Sequence, residues 1–518
     1  LLTRAHSVGL APVAAGLALA LATPAAVSAA ERLPLRDSVP AYVLQSRGVP
    51  VPGGRTLHFQ VVLGLKDGAG ARALAGRVSD PRSDSYRQFV PASEFRRRFG
   101  WTRREVGPVA RWLRRRGMTV GRPAPNGALL PASGTATQFE RAFGARLASY
   151  RSLGQELIAP RAPLTVPRSI APKVQGTIGI PEIPATTSLA GAADADSPVI
   201  LAGSGGPSAD PGPPLLGSLG GVVARQPPAP YCSRYWGAQF GGGLPEAYGQ
   251  RPLLAICGYD AKQIRSAYGA QRLYRRGIDG SGVDIGIVTG YTSPTLRSDL
   301  SSYSRDNRIP KTRLRIKRPT EYSPANRNTV WGFYTEQTLD TQVSHGMAPG
   351  ARIHYSGPDG ANRQIPALAR MVDRNRVDVI SNSWATPEVL LSGGYFRAGE
   401  DILVQAAAQG ITMLFGAGDT GDNIKELRIR SVDYPASSRW ATAVGGTTLN
   451  VGPTNERVWE QGWGESGTSL DGPGKAWDPA PPGNYRNGST GGTSRVFRQP
   501  GYQRARVPSV YSGYFGGR

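Results

Sequence analysis

Histidine and cysteine are scarce in this chain, with four His and two Cys among 518 residues. So few soft ligands exclude the Cys-rich and His-rich metal scaffolds. Acidic residues are also short, 37 against 61 Lys and Arg, which leaves a net charge of +24. Such an excess would suit nucleic acid, but most of it is Arg scattered among Gly and Pro. A generally Arg-rich composition is the simpler reading, and no nucleic-acid partner is expected. Beyond residue 30 no stretch reaches 18 apolar residues, so no membrane span is expected there. Glycine and proline are plentiful instead, 67 and 44, about a fifth of the chain. That is loop-rich but far from collagen or wholesale disorder. A hydrophobic fraction of 39%, with 9 Trp and 20 Tyr, supports a folded protein of two or three domains.

Composition divides the chain into four parts. Residues 1–30 open on Arg4 and His6, run apolar from Val8 to Ala22, and close on Val27-Ser28-Ala29-Ala30. A short Ala/Leu-rich run ending in small residues reads as a signal peptide, so the protein is expected to be secreted, extracellular and off the membrane once the signal is removed. Residues 31–180 alternate apolar runs with Arg-rich helical patterns. Residues 181–230 hold Gly203-Ser204-Gly205-Gly206-Pro207 and Asp210-Pro211-Gly212-Pro213-Pro214, too polar and too rich in breakers to bury a core, and read as a flexible linker. Residues 231–518 form the last part.

Within 31–180, residues 56–63 read as a strand, with helices near 71–78, 104–117 and 137–143. Val106, Val109, Trp112 and Leu113 fall at helical spacing, so Arg111, Arg114, Arg115 and Arg116 read as that helix's solvated face. From residue 283 onward strands and helices alternate: strands at 283–289, 351–355, 377–381 and 411–416, helices at 334–347, 365–375 and 399–409. That rhythm predicts a parallel sheet covered on both sides, with active-site residues just past the carboxyl ends of its strands.

Three carboxylates stand where chemistry would be expected. Glu336 and Asp340 are four apart on the 334–347 helix and project from one face. Leu339, Val343 and Met347 form a neighbouring apolar stripe that is expected to dock the helix, leaving the acidic pair at the edge of the buried face. Asp419 lies in Phe415-Gly416-Ala417-Gly418-Asp419-Thr420-Gly421-Asp422, directly after an apolar strand, with glycines that permit close backbone approach. Asp419 with Asp422 lacks further ligands around it, and no metal site is expected there.

Taken in order, these motifs resemble the sedolisin, or serine-carboxyl, peptidases. The resemblance rests on Glu336-x-x-Leu339-Asp340, Met347-Ala348-Pro349-Gly350, Ser383-Trp384, Gly418-Asp419-Thr420-Gly421 and Ala443-Val444-Gly445-Gly446-Thr447-Thr448. Upstream, Cys257-Gly258-Tyr259 resembles the start of the family's mature domain. Residues 31–180, through Ser79-Asp80-Pro81, Trp112-Leu113 and Phe139-Glu140-x-Ala142-Phe143, resemble its activation propeptide. The resemblance implies an α/β fold: a subtilisin-like parallel sheet flanked by helices, preceded by an α+β activation propeptide domain. It implies an endopeptidase precursor acting on protein or peptide substrates, with Glu336 as general base, Asp340 orienting it, Asp419 as oxyanion donor, and Ser383 and Trp384 against substrate. A carboxylate cannot donate a hydrogen bond, so that role for Asp419 requires its protonated form and favours acid pH. The propeptide is expected to bind its own peptidase domain, and acid to release it by protonating carboxylates paired with its arginines.

The resemblance also sets what is not expected. His345 sits at a helix end, where a cap or surface role is predicted rather than that of a subtilisin-type base. Ser494, in Gly491-Gly492-Thr493-Ser494, is followed by Arg495, Arg498 and Pro500, a pattern unsuited to the buried helix that a nucleophile caps. The nucleophile and the family's calcium site are expected beyond Arg518, so no calcium ligands are expected in this chain and, taken as written, it is expected not to hydrolyse peptides. Cys232 and Cys257, in an exported chain, are expected to form a disulfide, with two free thiols as the alternative. A secreted, non-catalytic protein that keeps the fold is the alternative to the peptidase precursor.

Overall fold

The structure, a computed structural model, describes residues 31–152, 155–180, 232–318, 327–358, 363–508 and 511. The expected signal peptide (1–30) and linker (181–230) lie outside the described residues. In the first region, β1 (Thr56–Val62) alternates outward Thr56 and His58 with buried Leu57, Phe59 and Val61, as a period of two requires. It is followed by α1 (Gly68–Ser79), α2 (Ala92–Phe99), α3 (Arg103–Arg115), β2 (Thr119–Val120), β3 (Leu129–Thr135), α4 (Ala136–Phe143) and β4 (Gly176–Ile178). Thr102 with Glu105, and Thr135 with Gln138, form reciprocal capping boxes that start α3 and α4. The strands pair antiparallel in the order β2-β3-β1-β4. Helices on one side bury an aromatic core in which Phe59 meets Phe139 edge-on at 5.1 Å and Trp112 meets Phe143 at 5.2 Å. Arg111, Arg114, Arg115 and Arg116 all face solvent.

The last region contains α5 (Ala261–Ala267), β5 (Asp284–Val288), α6 (Leu296–Asp306), β6 (Leu314–Lys317), α7 (Arg327–Met347), β7 (Arg352–Ser356), α8 (Gln364–Arg374), β8 (Val379–Asn382), α9 (Gly393–Gln409), β9 (Thr412–Gly416) and β10 (Thr442–Val444). The six strands are all parallel, in the order β6-β7-β5-β8-β9-β10. On one face, Leu368, Val372, Ile402 and Ala406 of α8 and α9 pack on Val288, Ile380, Met413 and Phe415. On the other, Leu296 and Leu300 of α6 cover Ile287, Leu314, Ile353 and Tyr355. This is the subtilisin-like parallel sheet with its preceding α+β domain. Two antiparallel hairpins within 447–488 follow β10. Cys232 and Cys257 are bonded, with Cα atoms 4.9 Å apart.

The first region sits on α8 and α9. Leu65 N–H donates to Asp401 Oδ2 at 3.0 Å, Asn126 Nδ2 to Gln405 Oε1 at 2.9 Å, and Val90 N–H to Ala408 O at 3.0 Å. Arg96 reaches Asp373 at 3.1 Å. Asp373, Asp401, Gln405 and Gln409 are all buried, and around them the contact is apolar: Leu74, Phe95 and Phe99 pack with Val404 and Ala408, and Val62 and Ile178 join the cluster of Tyr395 and Ile402.

One expectation about α7 is overturned. Leu339 and Val343 do not dock the helix: they are 41% and 39% exposed. The face that α7 buries is Phe333, Gln337, Thr341 and His345, spaced four apart. Three of these are polar and find partners inside. Gln337 Oε1 accepts Ser293 N–H at 2.8 Å, Thr341 Oγ1 donates to Gln337 O at 2.9 Å, and His345 Nε2 lies 2.8 Å from Pro310 O. The Gln337 and His345 bonds reach loop backbone and, with Phe333 packed on Tyr291, seat this face of the helix, while the Thr341 bond stays within it.

Candidate active site

Glu336 and Asp340 project from α7 toward the carboxyl ends of the central strands. The decisive neighbour is Ser383, the residue after β8, whose Oγ donates to Asp340 Oδ1 at 2.6 Å. Glu336 is buried. Glu336 Oε2 and Asp340 Oδ2 are both shut off from solvent, and neither has a hydrogen-bond partner among the described residues. Burial pushes both carboxyls well above the ordinary carboxylate range, and for Glu336 the Asp340 charge adds to it. The Ser383 hydroxyl opposes this by favouring the ionised forms, and the charge of Asp419 raises Glu336 further. The pair therefore titrates as a unit, holding a proton more tightly than an exposed carboxylate pair would.

Asp419 follows β9 by three residues, on a loop held by the segment 488–490. Thr490 N–H donates to Gly418 O and Gly488 N–H to Asp419 O, both at 2.8 Å. Gly418 has a φ of +109°, and a Cβ there would lie 2.2 Å from Asp433 Oδ2, so only glycine lets the loop pass that carboxylate. Asp433 Oδ1 accepts from Asn423 Nδ2 at 2.9 Å. Burial, with the charges of Asp419 and Glu388 behind it, raises the Asp433 carboxyl to about 7. The sequence reading did not single out Asp433 or Glu388. Each sits in a stretch with no distinctive spacing, and only tertiary packing brings them behind the Asp419 loop.

Trp384 is 1% exposed, with its indole N–H donating to Val288 O at 3.0 Å and its ring edge-on to Phe415. Its side chain belongs to the core. The Ser383 side chain is directed at Asp340. Ser494 is engaged behind the Asp419 loop: its Oγ donates to buried Glu388 Oε1 at 2.7 Å and accepts from Phe497 N–H at 2.8 Å. His345, expected as a cap or surface residue, is fully buried, and burial lowers its pKa. Asp422 pairs with Arg430 at 3.1 Å. Among the described residues no group of three or more His, Cys, Asp or Glu side chains could hold a metal ion. No described helix is long and apolar enough to cross a membrane.

Residues 46–183 match the family "Pro-kumamolisin, activation domain", and residues 326–505 match the "Subtilase family". Among curated relatives, sedolisin of Pseudomonas sp. (strain 101) is 26% identical over 521 residues, covering 96% of this chain and 73% of that protein. These matches support a sedolisin-family pro-enzyme. Xanthomonalisin of Xanthomonas sp. (strain T-22) is 24% identical over 466 residues, covering 82% of this chain and 50% of that protein. Kumamolisin of Bacillus sp. (strain MN-32) is 34% identical over 179 residues, covering 33% of this chain and 29% of that protein. The chain thus spans half the length of xanthomonalisin. The activation-domain match coincides with the α+β region, and the subtilase match takes in α7, Ser383, Asp419 and Asp433.

Proposed function

We propose that this chain comes from a secreted endopeptidase precursor that cleaves protein or peptide substrates at acid pH. In this reading Glu336 accepts the proton of an attacking serine hydroxyl, and Asp340 holds and charges Glu336. Protonated Asp419 donates to the oxyanion of the tetrahedral intermediate. Residues 31–180 act as an inhibitory and chaperoning propeptide, freed by cleavage within 181–230. Residues 1–30 direct export.

The observation that carries the reading is the buried Glu336–Asp340 pair, close enough to Asp419 for its charge to act on Glu336. A carboxylate base in water has a reference pKa near 4.3, too weak to draw a proton from serine well. Burial strengthens it as a base, and at acid pH only its ionised fraction acts. Glu336 must be ionised to act and Asp419 must be protonated to donate, so the reading requires a bell-shaped pH–rate profile. Ser494 is not the nucleophile in this reading, because its hydroxyl is committed to Glu388.

The test is to express the precursor from its complete gene and incubate it at about pH 4. New N-termini are mapped by mass spectrometry, and peptide hydrolysis is followed against pH. Glu336→Gln and Asp340→Asn are expected to lower kcat at least 100-fold and to stop processing within 181–230. Hydrolysis that survives both substitutions would refute the assignment.

A further inference from the structure

We propose that Ser383 is a positioning residue for the Glu336–Asp340 pair, acting through its hydroxyl on Asp340 rather than on substrate. The inference rests on the peptidase reading above. Its basis is geometric. Ser383 lies between two immobilised neighbours. Asn382 is 1% exposed, with its Nδ2 donating to Leu414 O at 3.0 Å. Trp384 is pinned to Val288 O. The backbone of Ser383 is thereby fixed to the central strands β5, β8 and β9, and its 2.6 Å bond to Asp340 Oδ1 ties that framework to α7 across 43 positions of sequence.

One O–H can donate to one acceptor at a time. Given to Asp340 Oδ1, it fixes the rotation of that carboxyl and leaves Oδ2 without a partner among the described residues, beside the charge of Glu336. The charged groups that bear on the pair are its two members and Asp419. The Ser383 hydroxyl is a donor set among acids. It stabilises the ionised form, so the base can be deprotonated at a lower pH than burial alone would allow.

The sign follows. Ser383→Ala removes a donor to the carboxylates, so the pair binds its proton more tightly and the acid limb of the pH–rate profile moves to higher pH. In the precursor expressed from its complete gene, the expected results are a shift of about one pH unit and a fall in kcat of about 10-fold, with KM within a factor of two. Ser383→Thr keeps the hydroxyl and is expected to restore the limb. A rise in KM with an unmoved limb would make Ser383 a substrate contact and overturn the proposal. Labelling of Ser383 by a serine-reactive probe at acid pH would make it the nucleophile and overturn it too.

A readout without turnover separates this inference from the peptidase reading. The infrared band of the protonated carboxyl, assigned by its loss in Asp340→Asn, is followed against pH in the whole chain. Ser383→Ala is expected to move that band to higher frequency and its titration to higher pH. An unchanged band overturns the proposal even if the protein is an active peptidase. A shifted band in a protein that cleaves nothing sustains the bond and sinks the peptidase reading instead.

Discussion

Gly176 and Gly394 stand so close that a Cβ on Gly176 would lie 2.5 Å from the Cα of Gly394. Here β4 of the activation domain crosses the first turn of α9. Gly393 N–H also donates to Asp37 O at 2.6 Å, and Arg397 Nε to Gln175 O at 2.9 Å. Backbone meets backbone, so no side chain can turn aside. Gly176→Ala is expected to loosen the domain contact by about 1–3 kcal/mol, the usual cost of overpacking. Hydrogen exchange over residues 393–409 in the full precursor should rise accordingly. Unaltered protection there would show that the contact can relax.

Asp401 reverses part of the acid-release expectation. Burial against the activation domain raises its carboxyl to about 6, with Arg72 and the Leu65 N–H pulling it back. A group whose pKa is raised in the docked state takes up a proton on docking, so its contribution strengthens the contact as pH falls from 7 toward 4. A shift of about two pH units corresponds to about 3 kcal/mol at most. Asp401 thus opposes release by acid rather than driving it. Asp401→Asn is expected to flatten the pH dependence of docking in this window, read by limited proteolysis of the precursor at pH 4, 5, 6 and 7. A steeper dependence in the variant would contradict the assignment.

Ser494 is expected to behave as a structural residue. It donates to Glu388 and caps the turn at Val496 and Phe497. Ser494→Ala leaves a buried carboxyl short of a donor, at a cost of about 1–3 kcal/mol, and raises further a Glu388 pKa already lifted by burial. Urea denaturation should show the loss. Serine-reactive probes should leave Ser494 untouched in the parent chain.

The unusual packing of α7 is testable by a contrast of two positions. Leu339→Ala, on the exposed side, is expected to cost less than about 0.5 kcal/mol. His345→Ala opens a cavity and strands the Pro310 carbonyl, and should cost about 2–4 kcal/mol. The shift in urea midpoint for each gives the comparison. Equal costs would mean that the helix is held by its apolar side after all.

Reduction of the Cys232–Cys257 bond closes the list. It spans 25 residues, and opening a loop of that size costs about 3 kcal/mol in the chain-entropy account. Cys232→Ser with Cys257→Ser is expected to lower the melting temperature of the last region and leave that of the α+β domain in place, as differential calorimetry would resolve.

Much of the fold was legible in the chain itself. The alternation that placed strands at 283–289, 377–381 and 411–416, and the capped helices at 104–117 and 137–143, follow from backbone periodicity and local capping, which act within a few residues. The three carboxylates were found the same way, from an i, i+4 spacing and a Gly-rich loop after a strand. The strand at 314–317, the edge strand at 442–444 and the hairpins within 447–488 were not, because short exposed strands carry little alternation. Which face of α7 turned inward was decided by partners far along the chain. Leu339 and Val343 look like core by pattern, yet hydrogen bonds from the loops at Ser293 and Pro310 draw in Gln337 and His345 instead. The same long-range contacts put Ser383 on Asp340, Asp433 behind Gly418 and Ser494 on Glu388. Periodicity fixes which side chains share a face. Only packing between distant segments decides which face is buried, and so which carboxyls lose their water and hold their protons.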